Sequence, residues 1–244
     1  MKDLFSQHSF GYKQARPHYS IQIIEEILKY VPEFGFAWDC GAGSGQLTQL
    51  LAPYFDHVVA TDISAAQLQH APYFENVSYQ LQPAEQTSIP TQSIDLVTVA
   101  QAIHWFNFDA FYAEVKRVLK PHGVIAVIGY GLIQVQQVEV HNLIEQLYAE
   151  TLNGYWEPER RYIDEQYQTI SFPFHEYPVP QLSLNYSWTA QQLLAYLKTW
   201  SALQHYQTIH SDDPLQHLAQ ALTDAPERFS VTFPIWLRIG TVLA

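Results

Sequence analysis

One acidic residue and three alternating glycines near the start of the chain have a spacing that suits ligand binding: Asp39, Gly41, Gly43 and Gly45. Apolar residues precede Asp39 and a helix-forming stretch follows Gly45, so we predict a strand, a tight turn and a helix. Glycines in such a turn let a ligand approach where a Cβ atom would clash. The amides that open the helix are free donors with a partial positive charge. The stretch is therefore predicted to hold a polar small molecule against its backbone.

The spacing of these glycines differs from the dinucleotide fingerprint Gly-x-Gly-x-x-Gly. An acid directly before the glycines would repel a pyrophosphate but could attract an ammonium group. The pattern Asp-x-Gly-x-Gly-x-Gly resembles the first motif of the class I S-adenosylmethionine-dependent methyltransferases. The resemblance implies that the cofactor is S-adenosylmethionine, with S-adenosylhomocysteine as its product, and that the binding residues here include Asp39, Gly41, Ala42, Gly43 and Gly45.

A second acidic residue, Asp62, ends the next predicted strand. At about 20 residues beyond the glycines, a carboxylate can accept hydrogen bonds from the ribose hydroxyls. It would disfavour a 2′-phosphate, which argues against a phosphorylated nicotinamide cofactor. Ile63, the next residue, would pack on an adenine face. Capping of the following helix is the alternative role for Asp62, but Ser64 is the better candidate for that cap.

A polar and aromatic segment, Gln-Ala-Ile-His-Trp-Phe, follows the fourth predicted strand at 101–106. Ligands in open α/β sheets bind outside the carboxyl ends of the strands. We therefore predict that the backbone carbonyl near Gln101 holds the ammonium group, and that His104 and Trp105 face the transferred methyl. If the acceptor is a hydroxyl, His104 is the candidate general base, because an unperturbed imidazole titrates near neutral pH.

The resemblance becomes narrower at two further segments. The His-Trp-Phe run and the turn Arg-Val-Leu-Lys-Pro-x-Gly at 117–123 are similar to the type 11 methyltransferase branch and, within it, to the trans-aconitate methyltransferase-like proteins. In these methyltransferases the loop after the third strand reads the adenine edge. The resemblance thus implies that Ala84 and Glu85 bind the cofactor.

The N-terminal segment carries a weaker part of the same likeness. Arg16-Pro17-x-Tyr19 resembles the opening Arg-Pro-x-Tyr-Pro of that group, with Ser20 where proline is usual. In the group this segment closes over the cofactor, which implies that Tyr12, Arg16 and Tyr19 contact the cofactor or the substrate. A segment that only packs through its aromatic residues is the alternative.

Strand and helix patterns alternate up to the fifth predicted strand, which predicts a doubly wound, parallel sheet. With two later strands, near 182–188 and 228–237, we expect an α/β, Rossmann-like, mostly parallel sheet of seven strands, and a helical cap inserted near the C-terminus. We divide the chain into a covering helical segment (1–35), a cofactor-binding core (36–135), and substrate cap helices with the last two strands (136–244).

The composition limits the function classes. The chain has 244 residues, 48% of them hydrophobic, and a net charge of −12 from 12 basic and 24 acidic residues. Such a surface disfavours phosphate backbones and anionic lipid, so we predict no nucleic-acid partner and no membrane. A single cysteine and the lack of an apolar leader or bilayer-length run predict a soluble, cytoplasmic protein. The oligomeric state stays open.

Two alternatives come from other classes of function. One is an NAD-dependent oxidoreductase, since Tyr112-x-x-x-Lys116 superficially matches the pair of short-chain dehydrogenases, although its helix position and the glycine spacing do not. The other is a non-catalytic protein that binds S-adenosylmethionine. No metal is predicted, because the eleven histidines include no His-Glu-x-x-His and the chain has no cysteine pair.

The methyl acceptor is predicted only as a small molecule. Small carboxylic acids are implied by analogy with the family, and lipid-like or polyketide-like acceptors would fit an aromatic pocket equally well. An anionic acceptor would need a cation in this acidic chain. The candidates are Arg16, Arg160, Arg161 and Arg238.

Overall fold

The centre of the molecule is one β-sheet. A computed structural model of the chain describes residues 15–223 and 226–242, so Tyr12 lies outside the described residues. Within these ranges the strands are β1 (Phe36–Cys40), β2 (His57–Asp62), β3 (Val77–Leu81), β4 (Ile94–Ala100), β5 (Leu119–Tyr130), β6 (Gln134–Val135), β7 (His175–Tyr177), β8 (Leu182–Trp188) and β9 (Phe229–Thr241).

The strand order confirms the predicted doubly wound, mostly parallel sheet. The order is β3-β2-β1-β4-β5-β9-β6; neighbours among the first five strands are parallel and β9 is antiparallel to β5. The long strand β9 also pairs with β7 and β8. The described sheet has nine strands instead of the seven predicted. The additional strands are β6 and β7, whose two and three residues are too few to show an alternating pattern.

The helices in the described ranges are α1 (Ile21–Leu28), α2 (Thr48–Leu51), α3 (Ala65–Leu68), α4 (Phe108–Val118), α5 (Val138–Gln146), α6 (Arg161–Asp164), α7 (Ala190–Leu197), α8 (Ser201–Ile209) and α9 (Gln216–Ala221). Short 3-10 turns lie at Ile103–Trp105 and Pro158–Arg160, and a π-helical turn at Leu147–Thr151 follows α5. Helices α7, α8 and α9 stand between β8 and β9, where a helical cap was predicted.

The parallel strands are buried on both faces, which explains their nearly continuous apolar sequences. Along β1, Ala37 packs into one apolar cluster while Trp38 and Cys40 pack into the other, as the two-residue period of a strand requires. The indole of Trp38 is fully buried and donates to the hydroxyl of Thr61 at 2.9 Å. The sheet is therefore covered by an apolar cluster on each face.

The segment after β4 is held in place by local capping. Asn107 caps α4 because its side-chain oxygen accepts from the N–H of Ala110 at 3.1 Å. The 3-10 turn Ile103–Trp105 is thereby fixed between β4 and α4. In the described ranges, no helix has the length and apolarity to cross a bilayer, and no group of three His, Cys, Asp or Glu side chains could hold a metal.

Candidate functional site

A cavity of about 250 Å³ lies at the carboxyl ends of β1, β2 and β4. This is the edge where ligands bind in open α/β sheets, next to the point where the strand order reverses. Two parts of its lining differ in chemical character. The glycine side comprises Asp39, Gly41, Ala42, Gly43, Asp62 and Ile63, and the aromatic side comprises His104, Trp105, Trp156, Arg160 and Trp200.

Asp39 is a buried carboxylate on the glycine side, with 1% of its surface exposed. Its two oxygens accept hydrogen bonds from the hydroxyls of Thr48, at 2.5 Å, and Thr98, at 3.0 Å. Burial raises the pKa of Asp39 to about 6, although both hydroxyl bonds act to lower it. Because Asp39 lines the cavity, a cation bound there would favour its ionised form.

Asp62 joins the glycine turn to the start of α3. One of its oxygens accepts from the N–H of Gly43 and the other from the N–H of Ser64, both at 2.8 Å. The hydroxyl of Ser64 caps α3 by accepting from the N–H of Gln67, which confirms the predicted cap. Asp62 lines the cavity, and these two backbone donors fix the orientation of its carboxylate. Ile63 lines the cavity beside it.

The first glycine of the motif is required by a close approach between two strand ends. Gly41 has a φ of +70°, and a Cβ atom there would lie 2.6 Å from the Cβ of Ala102. Gln101 also has a left-handed φ, of +52°, which is uncommon for a residue with a side chain. Its N–H donates to the carbonyl of Ile128 at 2.8 Å and its side-chain amide to the carbonyl of Tyr130 at 3.0 Å. The turn after β4 is thereby fixed beside the glycine turn.

Three residues predicted to bind the cofactor do not line this cavity. Gly45 faces the hydroxyl of Tyr79, which an added Cβ would meet at 2.9 Å. Ala84 is buried in the apolar core. Glu85 accepts from the N–H of Asn107 at 3.0 Å and so supports the start of α4. Their contact with a cofactor stays a prediction, and their observed contacts are within the fold.

His104 lies on the aromatic side, 5% exposed, with its ring centroid 4.8 Å from that of Trp105. Burial, helped by the positive charges of Arg160 and Arg16, lowers the pKa of His104 to about 3. The imidazole is therefore neutral at physiological pH. An imidazole with so low a pKa is a weak general base, since a base works best with a pKa near the operating pH.

Tyr167, which the sequence did not indicate, contacts two of the residues that line the cavity. Its buried hydroxyl donates to Oε1 of Gln101 at 3.3 Å and lies 3.1 Å from Nδ1 of His104. Gln166 and Tyr167 have φ angles of +57° and +58°, and this left-handed pair turns the ring onto Gly129, where an added Cβ would lie 2.5 Å away. The segment has no periodicity that predicts this, and the glycine within an otherwise bulky strand was the available signal.

The N-terminal segment reaches the cavity through Arg16 and Tyr19. Arg16 donates to the hydroxyl of Thr199 at 3.1 Å and to its carbonyl at 3.3 Å, and also to the hydroxyl of Tyr130 at 2.9 Å. The rings of Tyr19 and Tyr130 are 6.5 Å apart, and burial raises the pKa of Tyr19 well above its ordinary value. These contacts tie the segment to the cap and to the end of β5.

The four candidate arginines differ in their surroundings. Arg238 is 9% exposed and forms an ion pair with Glu176 at 2.7 Å, so it stabilises the fold. Arg161 is exposed. Arg16 and Arg160 line the cavity, so these two positive charges lie where a bound molecule could meet them.

Known proteins match this chain over most of its length. Residues 38–127 match a family model described as a methyltransferase domain. A Dictyostelium discoideum protein named as a methyltransferase is 35% identical over 245 residues, which cover 96% of this chain and 93% of that protein. A solved structure from Anaeromyxobacter dehalogenans, described as a type II methyltransferase, is 38% identical with a TM-score of 0.86; the match covers 93% of this chain and 98% of that one.

A more distant structure shows the same fold. Phosphoethanolamine N-methyltransferase 2 of Haemonchus contortus, solved with phosphomonomethylethanolamine and S-adenosylhomocysteine, is 16% identical with a TM-score of 0.51. The match covers 98% of this chain and 58% of that one. These comparisons give no support to a nicotinamide-dependent oxidoreductase. The narrower likeness to trans-aconitate methyltransferases stays a prediction.

Proposed function

Because this chain belongs to the class I S-adenosylmethionine-dependent methyltransferases, we propose that it methylates a small-molecule acceptor held on the aromatic side of the cavity. The observation that carries the proposal is that one cavity joins the carboxylates of the glycine side to the aromatic side. A methyl donor seated along the glycine side would present its methyl group to an acceptor beside Trp105.

The residue types on the glycine side fit the methyl donor. In the proposal, Asp39 and the backbone carbonyl near Gln101 receive the ammonium group, and Asp62 accepts from the ribose hydroxyls. Ile63 packs against the adenine. The fit is supported by the buried position of Asp39, because a carboxylate whose pKa is raised by burial gains most from a cation beside it.

The remaining cofactor contacts are proposed from the backbone. Gly41, Ala42 and Gly43 line the cavity and present backbone to the ligand without a bulky side chain. Gly45, Ala84 and Glu85 support the loops that carry these contacts. Tyr12, Arg16 and Tyr19 are proposed to cover the bound molecules from the N-terminal side. We propose that residues 1–35 cover the site, that residues 36–135 bind the cofactor, and that residues 136–244 bind the acceptor.

S-adenosylmethionine supplies an electrophilic methyl group on a sulfonium, so the protein's main task is alignment. Holding the two reactants in line can contribute about 7–11 kcal/mol. His104 and Trp105 form the wall next to the reacting atoms in this proposal. In this proposal the hydroxyl of Tyr167 donates to Gln101 and accepts from Nδ1 of His104, which leaves Nε2 as a hydrogen-bond acceptor. His104 thus orients the acceptor by hydrogen bonding, rather than removing a proton as a strong base.

The setting of the reaction is part of the proposal. We place it in the cytoplasm, because the single cysteine, buried Cys40, fits a reducing compartment. Nucleic acid is not expected as a partner because of the net charge of −12. The remaining alternative is a relative that binds S-adenosylmethionine without turnover.

Calorimetric titration with S-adenosylmethionine, S-adenosylhomocysteine and NAD tests the cofactor assignment. We expect micromolar binding of both adenosyl ligands and none of NAD. Asp62→Ala should weaken S-adenosylhomocysteine binding about 10- to 100-fold, since hydrogen bonds to a charged group are lost. Asp56→Ala, which removes an exposed carboxylate outside the cavity lining, is the matched control and should bind nearly as the wild type. Binding of NAD alone would overturn the assignment.

Turnover separates an enzyme from a non-catalytic binder. The wild-type protein is incubated with S-adenosylmethionine and a panel of small acceptors, and S-adenosylhomocysteine is measured by mass spectrometry. Acceptor-dependent product supports the proposed function. Tight adenosyl-ligand binding without product for any acceptor would favour the non-catalytic alternative.

A further inference from the structure

We propose that Arg160 recognises a carboxylate on the methyl acceptor. This inference rests on the proposed function and specifies its substrate class. Arg160 ends the 3-10 turn Pro158–Arg160 and lines the cavity together with His104 and Trp156. The segment that contains it has no sequence motif, so the assignment comes from its contacts.

The guanidinium of Arg160 is anchored on one edge only. Its Nε donates to the hydroxyl of Tyr148 at 2.9 Å and lies 3.5 Å from a carboxylate oxygen of Asp164. Tyr148 and Asp164 line a neighbouring cavity, so this edge faces away from the candidate site. Neither Nη1 nor Nη2 forms a hydrogen bond with any residue in the described ranges. The terminal edge is therefore a pair of donors held ready for a ligand.

The neighbouring rings fix the plane of this guanidinium. Its central carbon lies 5.0 Å from the ring centroid of Trp156 and 5.3 Å from that of Tyr148. Trp156 is in turn held by its indole N–H, which donates to the carbonyl of Tyr148 at 3.1 Å. A stacked arginine loses less conformational freedom when it binds, and its planar fork matches the two oxygens of a carboxylate.

The other arginines lack these features. The three donor nitrogens of Arg16 already bind Thr199 and Tyr130. Arg238 is engaged with Glu176 and with backbone carbonyls, and Arg161 lies outside the cavity. Arg160 thus combines access to the cavity with an unused donor edge.

The charges around the aromatic side favour an anion over a cation. Asp164 is the acidic group within 4 Å of Arg160 in the described ranges, and it lies at the Nε edge. Glu157 also lines the cavity, but it lies 3.9 Å from His205 and forms no ion pair with Arg160. The positive charges of Arg160 and Arg16 both reach His104, as its lowered pKa shows. An ammonium-bearing acceptor would be repelled there.

The test compares a carboxylate with an uncharged analogue of the same shape. Benzoate and benzamide are titrated calorimetrically into the wild type, with and without saturating S-adenosylhomocysteine. We expect benzoate to bind about 10- to 100-fold more tightly than benzamide, which is typical of hydrogen bonds to a charged group. In Arg160→Gln this preference should disappear, and in Arg160→Lys it should fall to an intermediate value because the charge remains without the fork.

Arg161→Gln removes a positive charge one residue away, on an exposed side chain, and is the matched control. It should keep the wild-type preference. Equal affinity of the two probes for the wild type, binding of neither, or a preference that survives in Arg160→Gln would each overturn the proposal. So would equal losses in Arg160→Gln and Arg161→Gln. The titration without S-adenosylhomocysteine reads Arg160 independently, so failure to bind the adenosyl ligand would count against the proposed function alone.

Discussion

At the scale of single residues, burial shifts the pKa values of two side chains that line the site. Asp39 and His104 are both buried, yet burial acts on them in opposite directions because it disfavours whichever form is charged. The pKa of Asp39 rises to about 6 and that of His104 falls to about 3. One carboxylate is therefore ready for a cation, and one imidazole is kept neutral.

Asp39→Asn should separate binding from stability. At pH 7 the ionised carboxylate is buried without a full counter-charge, so the neutral amide should leave the free energy of unfolding unchanged or raise it, by up to about 3 kcal/mol for a pKa shift from 3.8 to about 6. Affinity for S-adenosylhomocysteine should fall at least tenfold, because the ammonium loses its charge partner. Urea unfolding and calorimetry measure the two quantities.

Asp95→Asn is the control for that substitution. Asp95 is 2% exposed and pairs with Lys120 at 2.8 Å, near the opposite end of β4. Its loss should destabilise the protein while ligand affinity stays the same. A large loss of stability in Asp39→Asn with unchanged affinity would contradict the role given to Asp39.

At the scale of elements, strand β5 and the segment after α6 fit together through one glycine. Gly129 leaves room for the ring of Tyr167. Nη1 of Arg238 donates to the backbone carbonyl of Tyr167 at 2.9 Å. The left-handed pair at 166–167 makes this approach possible. Tyr167 can therefore reach His104 only because Gly129 has no side chain.

Gly129→Ala should destabilise the protein by about 1–3 kcal/mol, since the new methyl group overlaps the ring of Tyr167. The same substitution in a Tyr167→Ala background should cost much less, because the ring is gone. Chemical denaturation of the four proteins in this double-mutant cycle gives the coupling energy. If Gly129→Ala lowered the free energy of unfolding equally in both backgrounds, the ring of Tyr167 would not be the reason for a glycine at this position.

At the scale of the whole molecule, stability should depend on pH through the two buried groups of the site. The folded protein binds the proton of His104 less readily than the unfolded chain, so His104 removes stability as the pH falls from about 6.5 toward 3. Asp39 acts in the opposite sense, because its folded-state pKa is raised and protonation between about pH 6 and 3.8 favours the folded state.

His104→Asn should therefore lessen the loss of stability between pH 6.5 and 4. The full effect of His104 is about 5 kcal/mol over its whole range, from a shift of about 3.5 pKa units. Asp39→Asn should make the acid loss steeper, since the compensating group is absent. The free energy of unfolding measured by urea at a series of pH values tests both. Identical pH profiles for the wild type and His104→Asn would contradict the assignment.

Much of the fold and part of the site could be predicted from local sequence. The alternating strands, the cap at Ser64 and the glycine turn follow from periodicity and local hydrogen bonding, which neighbouring residues fix by themselves. The positions of Asp39 and Asp62 at strand ends follow from the same pattern. Local patterns therefore sufficed to predict the parallel strands and the two acids near their carboxyl ends.

Which distant side chains meet at that edge of the sheet depends on the packed molecule. Tyr167 and Arg160 come from a segment without periodicity. Tyr167 packs on Gly129, which is remote in sequence. Arg160 is held by Tyr148, which belongs to no motif. The pKa values of Asp39 and His104 also depend on burial, which arises only when the whole chain packs. The physical reason is that contacts and desolvation are properties of the packed molecule, whereas sequence patterns report the preferences of single elements.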